Sequence, residues 1–432
     1  MYDMKKLALL VKELEDQLMV CMRCGLCQSV CPVYAETGRE ADVARGKLAL
    51  LDGLIREMFK HPEGVSERLG RCLLCGSCSA SCPSGVKVLD IFLKARAILV
   101  GYMGLNPVKK ALFRGMLSHP RLFDSLVEWG ASLQGIFVKP ADELLGTSCG
   151  RMFSPLADRH IVPLTSIPFH KRVASRDSTG PSGVKAAFFV GCVADKVFPG
   201  VAEAVIKSLD HAGAGVFLPG NQGCCGIPAL SSGDMESFRR LVRHSLERFP
   251  AGKFDCLVTA CATCTSTIKK LWPLFAGEFS GEEQARIRDL AERTMDISQF
   301  LVDRMGVAPV AGAEGTDGKQ QIVTYHDPCH LKKSLGVASQ PRALISANPN
   351  YVFKEMAEAD RCCGCGGSFN LQHYDISASI GKRKRDCIAQ SGCSVVATSC
   401  PACMLQINDM LSRAGDRIKV KHAIEIYADC LP

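Results

Sequence analysis

Two cysteine patterns, each occurring twice, constrain this chain more than any other feature. Cys21-x-x-Cys24-x-x-Cys27-x-x-x-Cys31-Pro32 recurs as Cys72-x-x-Cys75-x-x-Cys78-x-x-x-Cys82-Pro83, every cysteine displaced by 51 residues. A second pattern sets Cys192, Cys224-Cys225-Gly226 and Cys261-x-x-Cys264 against Cys329, Cys362-Cys363-Gly364 and Cys400-x-x-Cys403, at offsets of 137 to 139 residues. Together the two patterns take 18 of the 24 cysteines. Any fold must bring these thiols into compact sets.

The first pattern has a physical reason for its spacing. A cubane [4Fe–4S] cluster offers four iron corners, each wanting a soft thiolate. Three cysteines at three-residue intervals wrap one cluster, while the cysteine before proline reaches the other cluster in two-cluster ferredoxins. The expected sets are therefore Cys21, Cys24, Cys27 and Cys82 for one cubane, and Cys72, Cys75, Cys78 and Cys31 for the other. Zinc also accepts four cysteines, but through two separated Cys-x-x-Cys pairs.

A length of 432 residues implies two or three domains. So many cysteines in a short exported chain would mean disulfides, but here charged Lys12, Glu13, Glu15 and Asp16 interrupt the first apolar run. No stretch reaches the roughly 18 apolar residues of a membrane span, so the expectation is a cytoplasmic protein with no transmembrane segment. The formal charge of +8 counts cysteines as neutral. Two oxidised cubanes, at about −2 each with their thiolates, leave a balance of about +4. That is no argument for nucleic acid. The basic run Lys382-Arg383-Lys384-Arg385 falls in a predicted helix over 376–389 and is expected to form a solvated face.

Along the chain, Leu7, Leu10, Val11, Leu14 and Leu18 form a helical stripe, and 41–59 and 88–99 have helical spacing. The cluster region is therefore expected to be mostly helical. Helix-like segments continue through Phe113, Leu117, Leu126, Trp129 and Leu133, and residues 146–183 read as a long connector. Strand and helix then alternate, with strands at 186–190, 216–218 and 256–259, and again at 322–325, 351–355 and 394–397. Two α/β lobes with short parallel sheets follow, their cysteines at strand ends, where such sheets place ligands. The fold class is α+β and multidomain: an α-helical two-cluster ferredoxin domain (1–105), a helical segment and connector (106–183), and two duplicated Cys-Cys-Gly lobes (184–315 and 316–432).

These motifs resemble the cysteine-rich domains of the heterodisulfide reductase superfamily joined to a two-cluster ferredoxin. The arrangement is similar to the iron-sulfur subunit of glycolate oxidase and D-lactate dehydrogenase complexes. Cys31-Pro32-Val33-Tyr34, Arg45-Gly46, Gly191-Cys192-Val193, His326-Asp327-Pro328-Cys329-His330-Leu331, Gln340-Pro341-Arg342 and Cys403-x-Leu405-Gln406-Ile407 carry the likeness. It covers essentially the whole chain.

The resemblance implies one or two noncubane iron-sulfur clusters, on Cys192, Cys224, Cys225, Cys261 and Cys264 and on Cys329, Cys362, Cys363, Cys400 and Cys403. Zinc in one lobe stays open as the alternative. Glycolate oxidase subunits often lack some of these cysteines, whereas both sets here are complete, as in heterodisulfide reductase catalytic subunits. Cys365, beside the second set, is a further candidate ligand. His326 and His330 are expected to tune a cluster by hydrogen bonding rather than to ligate it. The chain has no Gly-rich nucleotide fingerprint, so the implied partner is an FAD-containing 2-hydroxy-acid dehydrogenase subunit. The acceptor would be quinone or another carrier, with the protein peripheral to the inner face of the membrane. A catalytic disulfide reductase and a zinc-filled scaffold are the rival readings.

Overall fold

The computed structural model describes residues 3–137, 139, 146–149, 159–307 and 320–432. Its first hundred residues are helical. Asp3 caps Met4–Lys12, its carboxylate accepting the Lys6 amide at 3.2 Å, which satisfies one of the helix's unpaired N–H groups. Leu7, Val11, Leu14 and Leu18 face the core, as their spacing predicts. The helix expected over 41–59 is shorter, Ala44–Ile55, because Phe59 folds back so that its ring covers Gly53. Val88–Met103 is the spine of this region and buries Ile91, Phe92, Ala95 and Leu99. Pro107–Lys110 and a wider-turned stretch, Ala111–Leu117, lead into the long helix Pro120–Phe137.

Eleven strands follow among the described residues. β1 (Ser148–Cys149) and β2 (His160–Ile161) pair with each other. β3 (Arg176–Asp177), β4 (Lys185–Phe189), β5 (Gly215–Leu218), β6 (Cys256–Thr259) and β7 (Thr294–Asp296) form one sheet in the order β3-β5-β4-β6-β7. Only β3 runs antiparallel. β8 (Gln321–His326), β9 (Tyr351–Phe353), β10 (Val395–Thr398) and β11 (Lys419–His422) form a second, all-parallel sheet in the order β11-β10-β8-β9. Apart from β3 the two orders are the same, so the duplicated cysteines sit on duplicated sheets. The central strands are buried along their C-terminal halves and mostly apolar, as parallel strands covered on both faces must be. β7 and β11 were not expected from sequence. They are short edge strands, Thr-Met-Asp and Lys-Val-Lys-His, and lack the apolar run of a central strand.

The lobes face one another about an approximate twofold. The helix after Cys261 packs on the helix after Cys329, and the helix after Cys400 packs on the helix after Cys192.

The described part of the expected connector crosses the chain's own lobes. The His160 amide donates to Asp409 at 3.0 Å, Arg159 donates to the Asn370 carbonyl at 3.1 Å, and the Thr165 amide reaches the Lys196 carbonyl at 2.9 Å. It also contains a short helix, Phe169–Arg172, as well as β3. Lys382 and Arg383 of the basic run are exposed, as a solvated face requires, but Lys384 departs from it. In the helix Tyr374–Gln390, Lys384 is buried and donates to the carbonyls of Glu358 and Ala359, while Arg383 pairs with Glu358 and Arg385 with Asp416. Among the described residues, no helix is long and apolar enough to cross a membrane.

Candidate metal centres

The two ferredoxin-type loops follow one path. Arg23 and its counterpart Leu74 both hold φ near the left-handed region, at 57° and 53°. Each loop then enters a short helix, Leu26–Val30 or Ser77–Ala80, carrying Cys27 or Cys78. One cavity is lined by Cys21, Cys24, Cys27 and Cys82, together with Cys78. A second is lined by Cys31, Cys72, Cys75 and Cys78. The cysteine before each proline therefore stands with the triplet of the other copy.

Backbone N–H groups point at these sulfurs. Tyr34 donates to Cys31 at 3.5 Å and Leu74 to Cys72 at 3.4 Å. Burial pushes the Cys31 thiol up to about 11 and raises Cys78 further. Two buried cations stand beside this set. Lys47 donates to the Asp42 carbonyl, and Arg96 donates to the carbonyls of Leu69, Cys72 and Ser231, at 2.5, 3.1 and 2.7 Å.

In each lobe the first cysteine opens the helix after the first strand, the Cys-Cys-Gly loop follows the second, and the Cys-x-x-Cys turn follows the third. Cys261 and Cys400 have nearly the same backbone, with φ, ψ of −147°, 107° and −149°, 111°. The glycine of Cys-Cys-Gly is required: Gly226 and Gly364 have φ of +90° and +92°, and a Cβ on Gly364 would come within 2.5 Å of the Ser377 carbonyl oxygen.

Within the first lobe the thiols of Cys192, Cys224, Cys225, Cys264 and Cys261 stand next to one another in succession. In the second lobe Cys329, Cys362, Cys363, Cys403 and Cys400 do the same. The neighbouring thiols hold Cys225 and Cys363 well below the ordinary thiol range, so a thiolate is favoured there. The Gly364 amide donates to Cys362 at 3.5 Å, and burial raises the Cys365 thiol. These are buried, all-sulfur donor sets, free of oxygen ligands, and they fit the soft-ligand demand of iron-sulfur clusters.

The four sets are contiguous. Cys78 lines both ferredoxin cavities. Cys75 sits beside Cys362 of the second lobe, and Cys400 of that lobe beside Cys261 of the first.

His326 and His330 part company. His326 is fully buried, its ring within 4.8 Å of the Cys363 and Cys403 sulfurs, and neither ring nitrogen has a hydrogen-bond partner among the described residues. Burial pulls its pKa down to about 3, so the ring is neutral. His330 instead donates from Nε2 to the Leu74 carbonyl at 3.0 Å, with Nδ1 3.2 Å from Thr263 Oγ1. Among the described residues it has no direct hydrogen bond to a thiol, and it ties the ferredoxin loop to the first lobe. Thr263 Oγ1 lies 3.6 Å from Cys400 Sγ, so any influence on that sulfur is relayed.

Sequence reasoning missed the charged groups around the sulfurs. Lys384 lies under Cys362 and Cys363, and nothing in a helical basic run signals that burial. Lys196 and Lys333 were more legible, each standing four residues after the first cysteine of its copy.

Residues 17–86 match the 4Fe-4S dicluster domain, and residues 186–269 and 323–408 each match the cysteine-rich domain known as CCG. The chain is 28% identical over 424 residues to the "Probable glycolate oxidase iron-sulfur subunit" of Bacillus subtilis, covering 94% of this chain and 92% of that one. It is 30% identical over 240 residues to lactate utilization protein A of Exiguobacterium, 56% of this chain and 95% of the relative. One subunit of the fumarate reductase (CoM/CoB) of Methanothermobacter marburgensis is 27% identical over 417 residues, 94% of this chain and 71% of the relative. The chain belongs to this family of cysteine-rich iron-sulfur subunits. For a member of that family the buried Lys47, Arg96 and Lys384 have a clear use. A thiolate-ligated cluster is an anion in a dry interior, and a buried charge needs a partner.

Proposed function

We propose that this chain is the electron-transfer subunit of a flavin-dependent 2-hydroxy-acid dehydrogenase complex, acting on D-lactate or glycolate. The observation that carries the reading is the contiguity of the four thiol sets, from the exposed end at Cys24 to Cys192. A partner flavoprotein removes two electrons and two protons from the hydroxy acid, leaving the 2-oxo acid. Bound clusters would supply one-electron carriage. The chain's own residues fix their spacing, exclude water and set their potentials through Lys47, Arg96, Lys384 and His326.

In this reading two cubanes occupy the crossed sets, Cys21, Cys24, Cys27 with Cys82, and Cys72, Cys75, Cys78 with Cys31. Noncubane clusters occupy the two five-cysteine sets. Met22 and Leu26, 69% and 52% exposed around Cys24, offer the flavoprotein an apolar landing point. Electrons leave from the first lobe to a quinone. All 24 cysteines are free, which suits a reducing compartment such as the cytoplasm.

Anaerobically purified protein should carry about eight irons if only the cubanes form and about sixteen if all four sites hold four-iron clusters. Zinc in place of iron would overturn the reading. One observation favours a second reading, disulfide reduction: both lobes keep complete five-thiol sets. Cys225→Ser and Cys363→Ser discriminate. Electron transfer requires that they slow hydroxy-acid-dependent reduction of the acceptor in a complex that does not reduce a heterodisulfide. Fast heterodisulfide turnover, abolished by the same changes, would establish the alternative.

A further inference from the structure

A cavity of about 120 Å³ lies against the first lobe, and the Cys192 and Cys224 thiol positions line it. Its walls include Leu117, Phe123, Phe169, Val173 and Leu218; its polar end holds Asp124, His170, Asp195 and Lys196. An enclosed apolar cavity of roughly 150 Å³ accepts a benzene ring; this one is slightly smaller but opens to solvent at exposed His170, so one flat six-membered ring, partly in its mouth, is the most it takes.

The duplication says what such a ring would do. The equivalents of Cys192 and Cys224 in the second lobe are Cys329 and Cys362, and there the space is taken by the ferredoxin loop. Cys75 sits beside Cys362, and Lys333, the equivalent of Lys196, donates to Ser77 at 2.6 Å. The second lobe thus meets its redox neighbour on the face that the first lobe turns to the cavity.

The polar end excludes several occupants. Asp124, His170 and Asp195 come within 4.8 Å of one another. The Lys196 ammonium already lies 2.7 Å from Asp124 and 2.5 Å from Asp195, so it supplies the positive charge a metal ion would bring. Asp124 and Asp195 share the one lysine, while Glu128 on the far side of His170 is paired with Lys171 at 2.6 Å; the inner end therefore keeps one carboxylate in excess and disfavours a carboxylate substrate or an anionic disulfide. A neutral acceptor suits it. The helix that supplies Phe123 and Asp124 also exposes Leu122, Leu126, Trp129 and Ile136, a continuous helical stripe. That stripe gives an apolar tail a surface to lie on.

We infer that this cavity is the terminal acceptor site, taking the ring of a lipid-soluble quinone between Phe123 and Phe169 with its tail over the 122–136 stripe. The inference rests on the electron-transfer reading above. The quinone gains two electrons, one at a time, through the Cys192–Cys224 end of the thiol line. It gains two protons from solvent, for which the exposed His170, held by Asp195 at 2.9 Å, is the entry. The product is the quinol, and the electrons are those the partner takes from the hydroxy acid.

The test uses the full chain, purified anaerobically, with an azido-quinone bearing a decyl tail as photolabel and its tail-less analogue as comparison. Labelling should map to the segments carrying Phe123 and Phe169. Val173→Trp, which fills the cavity from its half-buried rim, should weaken binding at least tenfold while iron content and visible spectrum stay unchanged. Trp129→Ser should remove the affinity advantage of the tailed probe without affecting the tail-less one. His170→Phe provides a second variant should Val173→Trp fail to fold. Its binding should fall severalfold. Labelling elsewhere with unchanged affinity in Val173→Trp and His170→Phe would overturn the site. So would absence of quinone binding, or displacement of the label by an anionic disulfide. Failure of the flavoprotein to reduce the chain at all is a separate result, and it would count against the electron-transfer reading itself.

Discussion

Cys82 follows Cys27 by 55 residues yet lines the same cavity. If the crossed sets hold the cubanes, Cys82→Ser should remove the cluster on Cys21, Cys24 and Cys27, and about four irons with it, while the cluster on Cys72, Cys75 and Cys78 survives. Electron paramagnetic resonance of the reduced variant would read the loss, and disappearance of the other signal instead would undo the crossing. Lys384 acts by charge. Its ammonium favours the more negative, reduced state of a cluster at Cys362 and Cys363, so Lys384→Met should lower that cluster's potential by about 40 mV if the interaction is about 1 kcal/mol. Potentiometry would show it. Acid tests the buried histidines. His326 and His422 have folded pKa values near 3 and 4, below the ordinary histidine value, because burial disfavours their charged forms. Unfolding therefore takes up protons below about pH 6.5, and stability should fall as pH drops from there towards 4. Asp296, raised by burial to about 6, works the other way over the same range. The two imidazoles outweigh it. Urea midpoints at pH 7, 6 and 5 should therefore fall in order.

Among the elements, the Cys-Cys-Gly turns make the most specific demand. Gly364→Ala would press a Cβ against the fixed Ser377 carbonyl, whereas in Gly226→Ala the nearest atom, at 2.9 Å, belongs to the Phe238 ring, which can turn aside. Both pay roughly 1–3 kcal/mol for left-handed backbone, so Gly364→Ala should show the larger drop in thermal midpoint and in iron retained. These turns were legible in sequence because chemistry repeats there at fixed spacing. So were β4, β6, β8 and β10, whose apolar runs are those of buried parallel strands. β7 and β11 were not, since an edge strand of three or four residues carries no period of its own. Nor was the ferredoxin loop's contact with the second lobe, because Cys75 and Cys362 meet across a long stretch of chain and no local pattern encodes the meeting. The cavity beside Cys192 was hidden for the same reason: its walls come from distant segments.

At the scale of the molecule, one guanidinium joins two of these bodies. Arg96, on the ferredoxin spine, donates both to its own loop at Cys72 and to Ser231 of the first lobe. Arg96→Met leaves these buried carbonyls without their donor, and a lost buried hydrogen bond of this charged kind costs about 1.5–3 kcal/mol. The expected result is faster limited proteolysis between residues 103 and 185, with the iron content of each half unchanged. The approximate twofold between the lobes has a consequence of its own. Two identical sites facing each other through Cys261 and Cys400 would hold an electron with equal preference, and current across them would have no sense of direction. The copies have since diverged around the sulfurs: Phe189 occupies the strand position of His326, and Leu246 stands at the offset from Cys-Cys-Gly that Lys384 holds in the other lobe. If both sets hold clusters, those unmatched neighbours lift the degeneracy and give an electron a preferred side.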